Sequence, residues 1–149
     1  MRLRRDITVE ALNARGASRL PGLMGLRVLR LDEGELHMRL PIRDELLAPN
    51  GFLHAASVIA LADTACGYAC AAHLPEGAEN FTTVELKTNF LGTATAGAIE
   101  TVARAAHLGR ATQVWDATVT EVGGDGGPGK TIALFRCTQM ILWPRPARP

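Results

Sequence analysis

Residues 49–72, PNGFLHAASVIALADTACGYACAA, constrain the fold more than any other stretch of the chain. From His54 to Ala72, apolar residues occupy every helical phase: Ala55, Ala56, Val58, Ile59, Ala60, Leu61, Ala62, Ala65, Cys66, Ala69 and Cys70. A helix that is apolar all round is expected to be buried all round. Alanine favours the helix, and its small side chain lets neighbouring backbone come close. The run falls short of the ~20 apolar residues of a membrane span, and Asp63 interrupts it. It reads as a central core helix. Pro49, Asn50 and Gly51 mark the turn leading in, and Pro75 and Gly77 the turn leading out. Asp63 is the anomaly, because an acid is rarely buried without a partner.

The rest of the chain supplies what surrounds this helix. A length of 149 residues with 47% hydrophobic and 21% charged side chains suits one globular domain over 1–149. The net charge of +1 gives no reason to expect bulk nucleic-acid or membrane binding. The basic start, MRLRRD, is not followed by an apolar segment, so it is no secretory signal and a cytoplasmic location is expected. Three cysteines imply no disulfide framework. Cys66 and Cys70 are spaced to share a metal, but further ligands are missing and Cys137 is distant in sequence. All three are expected to be small buried hydrophobes, with no metal.

The N-terminal helical segment, 1–20, is predicted to hold one amphipathic helix over 6–20, broken at Gly16 and ended by Pro21-Gly22. Strands are expected at 24–31 and 35–42 around the turn Asp32-Glu33-Gly34. In the second, Leu36, Met38 and Leu40 form a dry face and His37 and Arg39 a wet one. Residues 81–91 read as a strand with Val84, Leu86 and Phe90 on one face. Strands over 97–107 and 111–122 meet at Leu108-Gly109-Arg110. A glycine-rich hairpin loop, 123–129, precedes a last strand at 130–143, and the tail 144–149 is expected to be flexible. His37, His73 and His107 have no partner pattern and are expected at the surface or in loops. Six strands without βαβ repeats point to an α+β fold, with a mainly antiparallel sheet curled around the long helix. Residues 124–131, GDGGPGKT, match the phosphate-loop pattern. That chemistry needs a helix after the loop, and the β-rich residues that follow provide none.

Four groups can carry chemistry. The first N–H groups of a helix starting near His54 have no helical partner and lie at the positive end of its dipole. The Ala55 N–H can therefore receive a carbonyl oxygen that becomes an oxyanion. Asn50 and His54 lie beside it, and Asp63 can act as general base or nucleophile. Asp63 is eight residues beyond Ala55. That is about 12 Å along the axis and roughly 80° around it. One chain cannot readily bring both to one carbon, whereas two antiparallel helices in a two-fold dimer can. On the residues alone, Asp63 could instead be a structural acid, His54 a simple cap and Thr83 an ordinary strand residue.

Asn50-Gly51-Phe52-Leu53-His54-Ala55-Ala56 followed by Leu61-Ala62-Asp63-Thr64-Ala65 resembles the NGxxHGG…LAD-x-A signature of the hotdog-fold acyl-CoA thioesterases, in particular the phenylacetate-pathway (PaaI-like) group. Thr83 to Leu91, Gly109-Arg110 and Ala133 to Arg136 also resemble that family. The resemblance implies a cytoplasmic enzyme that hydrolyses an acyl-CoA without metal or redox cofactor. It makes Asp63 the catalytic acid group, the Ala55 N–H the carbonyl polariser, and Asn50 and His54 groups that hold nucleophile or substrate. Thr83 takes the place of a water-positioning hydroxyl, with Thr82 adjacent. Arg110 is a candidate for the coenzyme A phosphates. The family's habit is a homotetramer, a dimer of dimers with the site at the dimer interface. Two departures are visible: Ala55-Ala56 replaces Gly-Gly, and Leu91-Gly92-Thr93-Ala94 lacks an arginine the family often carries there. A hydratase or dehydratase on the same fold would carry a D-x-N-P-x-H pattern, which is absent. A non-catalytic acyl-CoA sensor is the other alternative.

Overall fold

The computed structural model describes residues 2–124 and 126–145. Two short helices, α1 (Val9–Gly16) and α2 (Leu20–Met24), lead into strands β1 (Arg27–Asp32) and β2 (Glu35–Pro41). A single 3-10 turn (Asp44–Leu46) precedes the long helix α3 (Ala55–Ala72). Strands β3 (Asn80–Phe90), β4 (Ala98–Leu108), β5 (Thr112–Val122) and β6 (Pro128–Leu142) complete the chain. The strands form one sheet in the order β1-β2-β4-β5-β6-β3, antiparallel throughout. The sheet packs one face on α3, which is the α+β hotdog architecture expected from the sequence.

The core follows the alternation of the strands. Leu36, Met38 and Leu40 of β2 are buried as predicted, and Ile99, Ala103, Trp115, Ala117, Val119, Ile132 and Phe135 continue that face across the sheet. Facing them on α3 are Leu61, Ala62, Ala65, Cys66, Ala69 and Cys70. Gly67 brings the helix close to β3: a Cβ there would lie 3.2 Å from the Phe81 ring. The thiols of Cys66 and Cys137 meet across the helix–sheet contact, and that hydrogen bond, with burial, raises the Cys66 pKa. Burial pushes the Cys70 thiol up to about 12.

Five expectations need correction. The N-terminal segment holds two helices, because Pro21 stands in the first turn of α2 instead of ending α1. There its fixed φ favours the helix and its missing N–H costs nothing. Gly22 allows the tight packing at this corner, since a Cβ would sit 2.1 Å from the Ala17 carbonyl oxygen. Second, α3 is not buried all round: Ala55 and Ala56 are exposed, and Ile59, Ala60, Asp63 and Thr64 are half-buried. One stripe of the helix is open because the sheet of a single chain covers only part of its circumference. Third, Val84, Leu86 and Phe90 do not simply share a face. The β3–β6 register shifts between Thr83 and Glu85, so Val84 sits in the irregularity while Leu86 and Phe90 pair with Cys137 and Ala133. All three are exposed. Fourth, His37 has a partner: on β2 its Nε2 lies 2.5 Å from Glu35 Oε1.

The fifth correction concerns His73, which is fully buried. The Gly34 N–H donates to its Nε2 at 2.9 Å, and its Nδ1 lies 2.8 Å from the Ala69 carbonyl oxygen. That pattern requires a neutral ring with the proton on Nδ1. Trp115 packs against the ring at 5.4 Å, and Gln113 donates to the His73 carbonyl at 2.8 Å while accepting from Trp115 Nε1. The cluster ties the end of α3 to the β1–β2 turn and to β5.

The phosphate-loop pattern runs into strand: Thr131 lies in β6 and no helix follows among the described residues. Asp125 of the glycine run and residues 146–149 of the tail lie outside the described residues.

Burial lowers the pKa of His73 below the ordinary histidine value. The unfolded chain therefore binds the proton more readily than the fold does. The stability tied to the neutral ring is present above pH ~6.5 and is lost as pH falls from there through the folded pKa. Urea midpoints measured from pH 8 to pH 5 should fall for the wild type and fall less for His73→Gln, which cannot titrate. Equal slopes would show that His73 does not couple to folding.

Candidate active site

The loop entering α3 is held by backbone bonds. Ala48 N–H donates to Phe52 O at 2.7 Å, Leu53 N–H to Ala94 O at 3.0 Å, and His54 N–H to Leu46 O at 3.0 Å. Gly51 has φ +83°, a left-handed value that suits glycine. His54 is the N-cap, and its Nδ1 accepts from the Ala56 N–H at 3.0 Å. A neutral His54 therefore carries its proton on Nε2 and presents it away from the helix. The Ser57 N–H bonds the His54 carbonyl at 2.9 Å, and the Ser57 hydroxyl donates to Leu46 O at 2.9 Å. The exposed Ala55 N–H has no acceptor among the described residues. It is a fixed, free donor at the positive end of an 18-residue helix. Asn50 uses its Oδ1 to accept from Phe52 N–H at 3.2 Å, which leaves its amide Nδ2 directed by that bond.

Asp63 lies two turns further on, in the open stripe of α3. Its Oδ1 is buried without a hydrogen-bond partner among the described residues. Desolvation by burial raises its pKa, and no cation is among the causes of the shift. Gly67 lies over Phe81. One helical turn back along α3, about 6 Å, matches two residues forward along β3, about 6.6 Å. This sets Asp63 level with Thr83. Its charge also acts on Cys66 and Cys137.

The register separates the two threonines. Thr83 pairs with the buried Gln139 and Thr82 with the exposed Met140. The Thr83 hydroxyl donates to Gln139 Oε1 at 2.9 Å, and Gln139 Nε2 contacts Cys137 Sγ at 3.3 Å. Gln139 was missed from the sequence. Its place in the alternation with Phe135, Cys137 and Ile141 is the signal that marks it as a buried amide. Arg110 lies in the β4–β5 turn with its guanidinium over Trp143, 4.1 Å from the ring centroid. Trp143 in turn lies near Gly77, just past the C-terminus of α3.

The structure thus makes two groups. Asn50, His54 and Ala55 gather at the N-terminus of α3. Asp63 lies at its middle with Thr83 on the neighbouring strand β3, and Arg110 lies toward its far end. Within one chain the two groups remain apart by the two turns of helix between Ala55 and Asp63. Among the described residues no three His, Cys, Asp or Glu side chains gather to hold a metal ion.

Comparison with known proteins identifies the family of the chain. The family model described as "Thioesterase superfamily" matches residues 50–127. The 1,4-dihydroxy-2-naphthoyl-CoA hydrolase of Escherichia coli is 29% identical over 93% of this chain and 98% of its own. A crystal structure of the thioesterase PA1618 of Pseudomonas aeruginosa is similar at TM-score 0.84 and 29% identity, over 94% of this chain and 97% of that one. The PaaI protein of the E. coli phenylacetic acid degradation operon shares the fold at TM-score 0.72 and 22% identity, over 91% and 96%. The chain belongs to the thioesterase superfamily, a family of thioester hydrolases.

A raised carboxyl pKa favours folding below the unfolded value, ~3.9, and that advantage is lost as pH rises through the folded pKa. At pH 7 the ionised Asp63 therefore burdens the fold. Asp63→Asn should melt at a higher temperature than wild type at pH 7, with the gap closing toward pH 4. A variant that melts lower would show that a partner group holds the carboxylate charged.

Proposed function

We propose that this thioesterase hydrolyses the thioester of a small acyl- or aryl-acyl-coenzyme A at a site shared by two subunits of a homodimer. The observation that carries the reading is the pairing of two unmet needs. The Ala55 N–H is a donor without an acceptor, and Asp63 is a half-buried carboxylate without a donor. A two-fold axis that sets two α3 helices side by side and antiparallel brings the first group of one subunit to the second group of the other. The open stripe of α3 and the unpaired edge of β3, with Val84, Leu86 and Phe90 exposed, supply the apolar surface for it. An eleven-residue edge strand with three large apolar side chains exposed would invite aggregation if left bare, so a partner is the natural cover.

In this site the thioester carbonyl oxygen rests on the Ala55 N–H of one subunit. Asp63 of the other removes a proton from water, whose oxygen bonds the carbonyl carbon. The oxyanion of the tetrahedral intermediate is held by the Ala55 N–H. The carbon–sulfur bond then breaks, and the proton passes from Asp63 to the departing thiolate, giving free acid and coenzyme A. Direct attack by Asp63, followed by hydrolysis of the anhydride, uses the same atoms. Asn50 and His54 orient the thioester, and the Thr83 hydroxyl, fixed by Gln139, orients the water. Arg110 of the Asp63-bearing subunit is the cation this reading assigns to the coenzyme A phosphates. The reaction needs no metal or redox cofactor. We place the enzyme in the cytoplasm as a PaaI-like dimer of dimers.

Thiol release from a panel of acyl-CoAs tests the chemistry. Asp63→Asn should lower kcat by about 100-fold or more. Ala55→Pro removes only the N–H donor. Proline is favoured at the first position of a helix, and His54, at φ −64° and ψ 137°, already has the extended conformation a following proline requires. It should lose about 100- to 1,000-fold while keeping the wild-type fold. Full activity in both variants would overturn the reading. Acyl-CoA binding without thiol release by the wild type would make the protein a sensor.

A further inference from the structure

The N-terminal helices do more than cover α3. A cleft of about 380 Å³ lies beside the start of α3, between α2 and the 3-10 turn. Its walls are Leu20 and Met24 of α2, Leu46 of the 3-10 turn with Leu47 after it, and Ala60 of α3. His54 and Ala56, from the start of α3, also line it. The volume is within the range of about 300–1,000 Å³ seen for small-molecule pockets.

We propose that this cleft is the acyl subsite and that it takes a flexible aliphatic chain, making the enzyme selective for medium-chain aliphatic acyl-CoAs over aryl ones. The inference rests on the thioesterase reading and on three observations. The cleft adjoins the residues that hold the carbonyl, so an acyl group on the Ala55 N–H leads into it. Apart from His54, its polar lining is already engaged. The Ser57 hydroxyl is bonded to Leu46 O, and Glu45 is paired with Arg43 at 3.4 Å. What remains for a ligand beyond the His54 ring is leucine, methionine and alanine surface. No phenylalanine, tyrosine or tryptophan lines it, so an aryl ring would find few of the stacked or edge-on ring contacts that favour aromatic partners. Leucine and methionine side chains instead adapt to a chain with many rotamers.

The outer wall is the exposed part of α2. Leu20 is 59% exposed at the cleft mouth, an unfavourable place for a leucine in the free chain and a useful one against a bound alkyl chain. Arg43 fixes α2 by donating to the Met24 and Leu23 carbonyl oxygens at 3.1 and 2.5 Å. The wall is thus held at its C-terminus while Leu20 stays free to close on the ligand.

The experiment measures kcat/KM for straight-chain acyl-CoAs from acetyl to palmitoyl, with benzoyl- and phenylacetyl-CoA beside them. Wild type is compared with Leu20→Trp, which fills the mouth from an exposed position, and Met24→Ala, which enlarges the interior. Wild type should peak at an intermediate chain length. Leu20→Trp should lower that peak about tenfold or more relative to acetyl-CoA, and Met24→Ala should move it toward longer chains. Calorimetry of octanoyl-CoA against free coenzyme A accompanies the kinetics, with tighter octanoyl-CoA binding in the wild type that Leu20→Trp weakens. That binding pattern without turnover would sink the hydrolase reading and support the subsite. Turnover with chain-length profiles parallel in all three proteins, or fastest with an aryl thioester, would overturn the subsite and leave the hydrolase standing. Absence of both turnover and any octanoyl preference would overturn both.

Discussion

The structure depends on the packing of one alanine-rich helix into the concave face of one sheet. Alanine, glycine and cysteine on α3 let the sheet approach closely, and larger residues on the strands, led by Trp115, Met38 and Ile132, fill the space that remains. Close packing of this kind leaves little freedom in where the helix sits. Every candidate functional group takes its position from it. The N-terminus of α3 fixes the free N–H, its middle carries Asp63, and its C-terminus is clamped by the His73 cluster.

The same packing is incomplete. A six-stranded sheet covers most of α3 but leaves a stripe that includes Ala56, Ile59, Ala60 and Asp63 open to some degree. The strand nearest that stripe is an unpaired edge with exposed apolar side chains. Two chains facing each other across a two-fold axis relieve both defects at once, and they do so while bringing a donor without an acceptor to an acceptor without a donor. On this account the carboxylate that burdens the isolated fold is kept because the paired fold uses it. Stability is given up at the site where the chemistry is done.

Much of this was legible in the sequence, and the exceptions have physical causes. The dry face Leu36-Met38-Leu40 could be read because a half-covered strand must alternate. The start of α3 could be read because Asn50-Gly51 turns and His54 caps. The two turns of helix between Ala55 and Asp63 are the ground for proposing a second chain. Pro21 misled because the same ring that stops one helix opens another. The irregularity at Val84 left no mark, since it is set by pairing with β6. His73 carried no local pattern, because Gly34, Ala69 and Trp115 reach it only through tertiary folding. Gln139 was readable in principle, as a polar residue in phase with Phe135, Cys137 and Ile141.

The central claim is that each site draws its donor from one subunit and its carboxylate from the other. The most direct test mixes two inactive proteins, Ala55→Pro and Asp63→Asn, under conditions that exchange subunits, and follows thiol release. Half of the randomly reassembled dimers then pair unlike subunits, and each of these has one native site and one doubly altered site. The account predicts recovery to about a quarter of wild-type activity. Mixtures that stay as inactive as their components after proven exchange would contradict it, and would place both groups in a single chain's site.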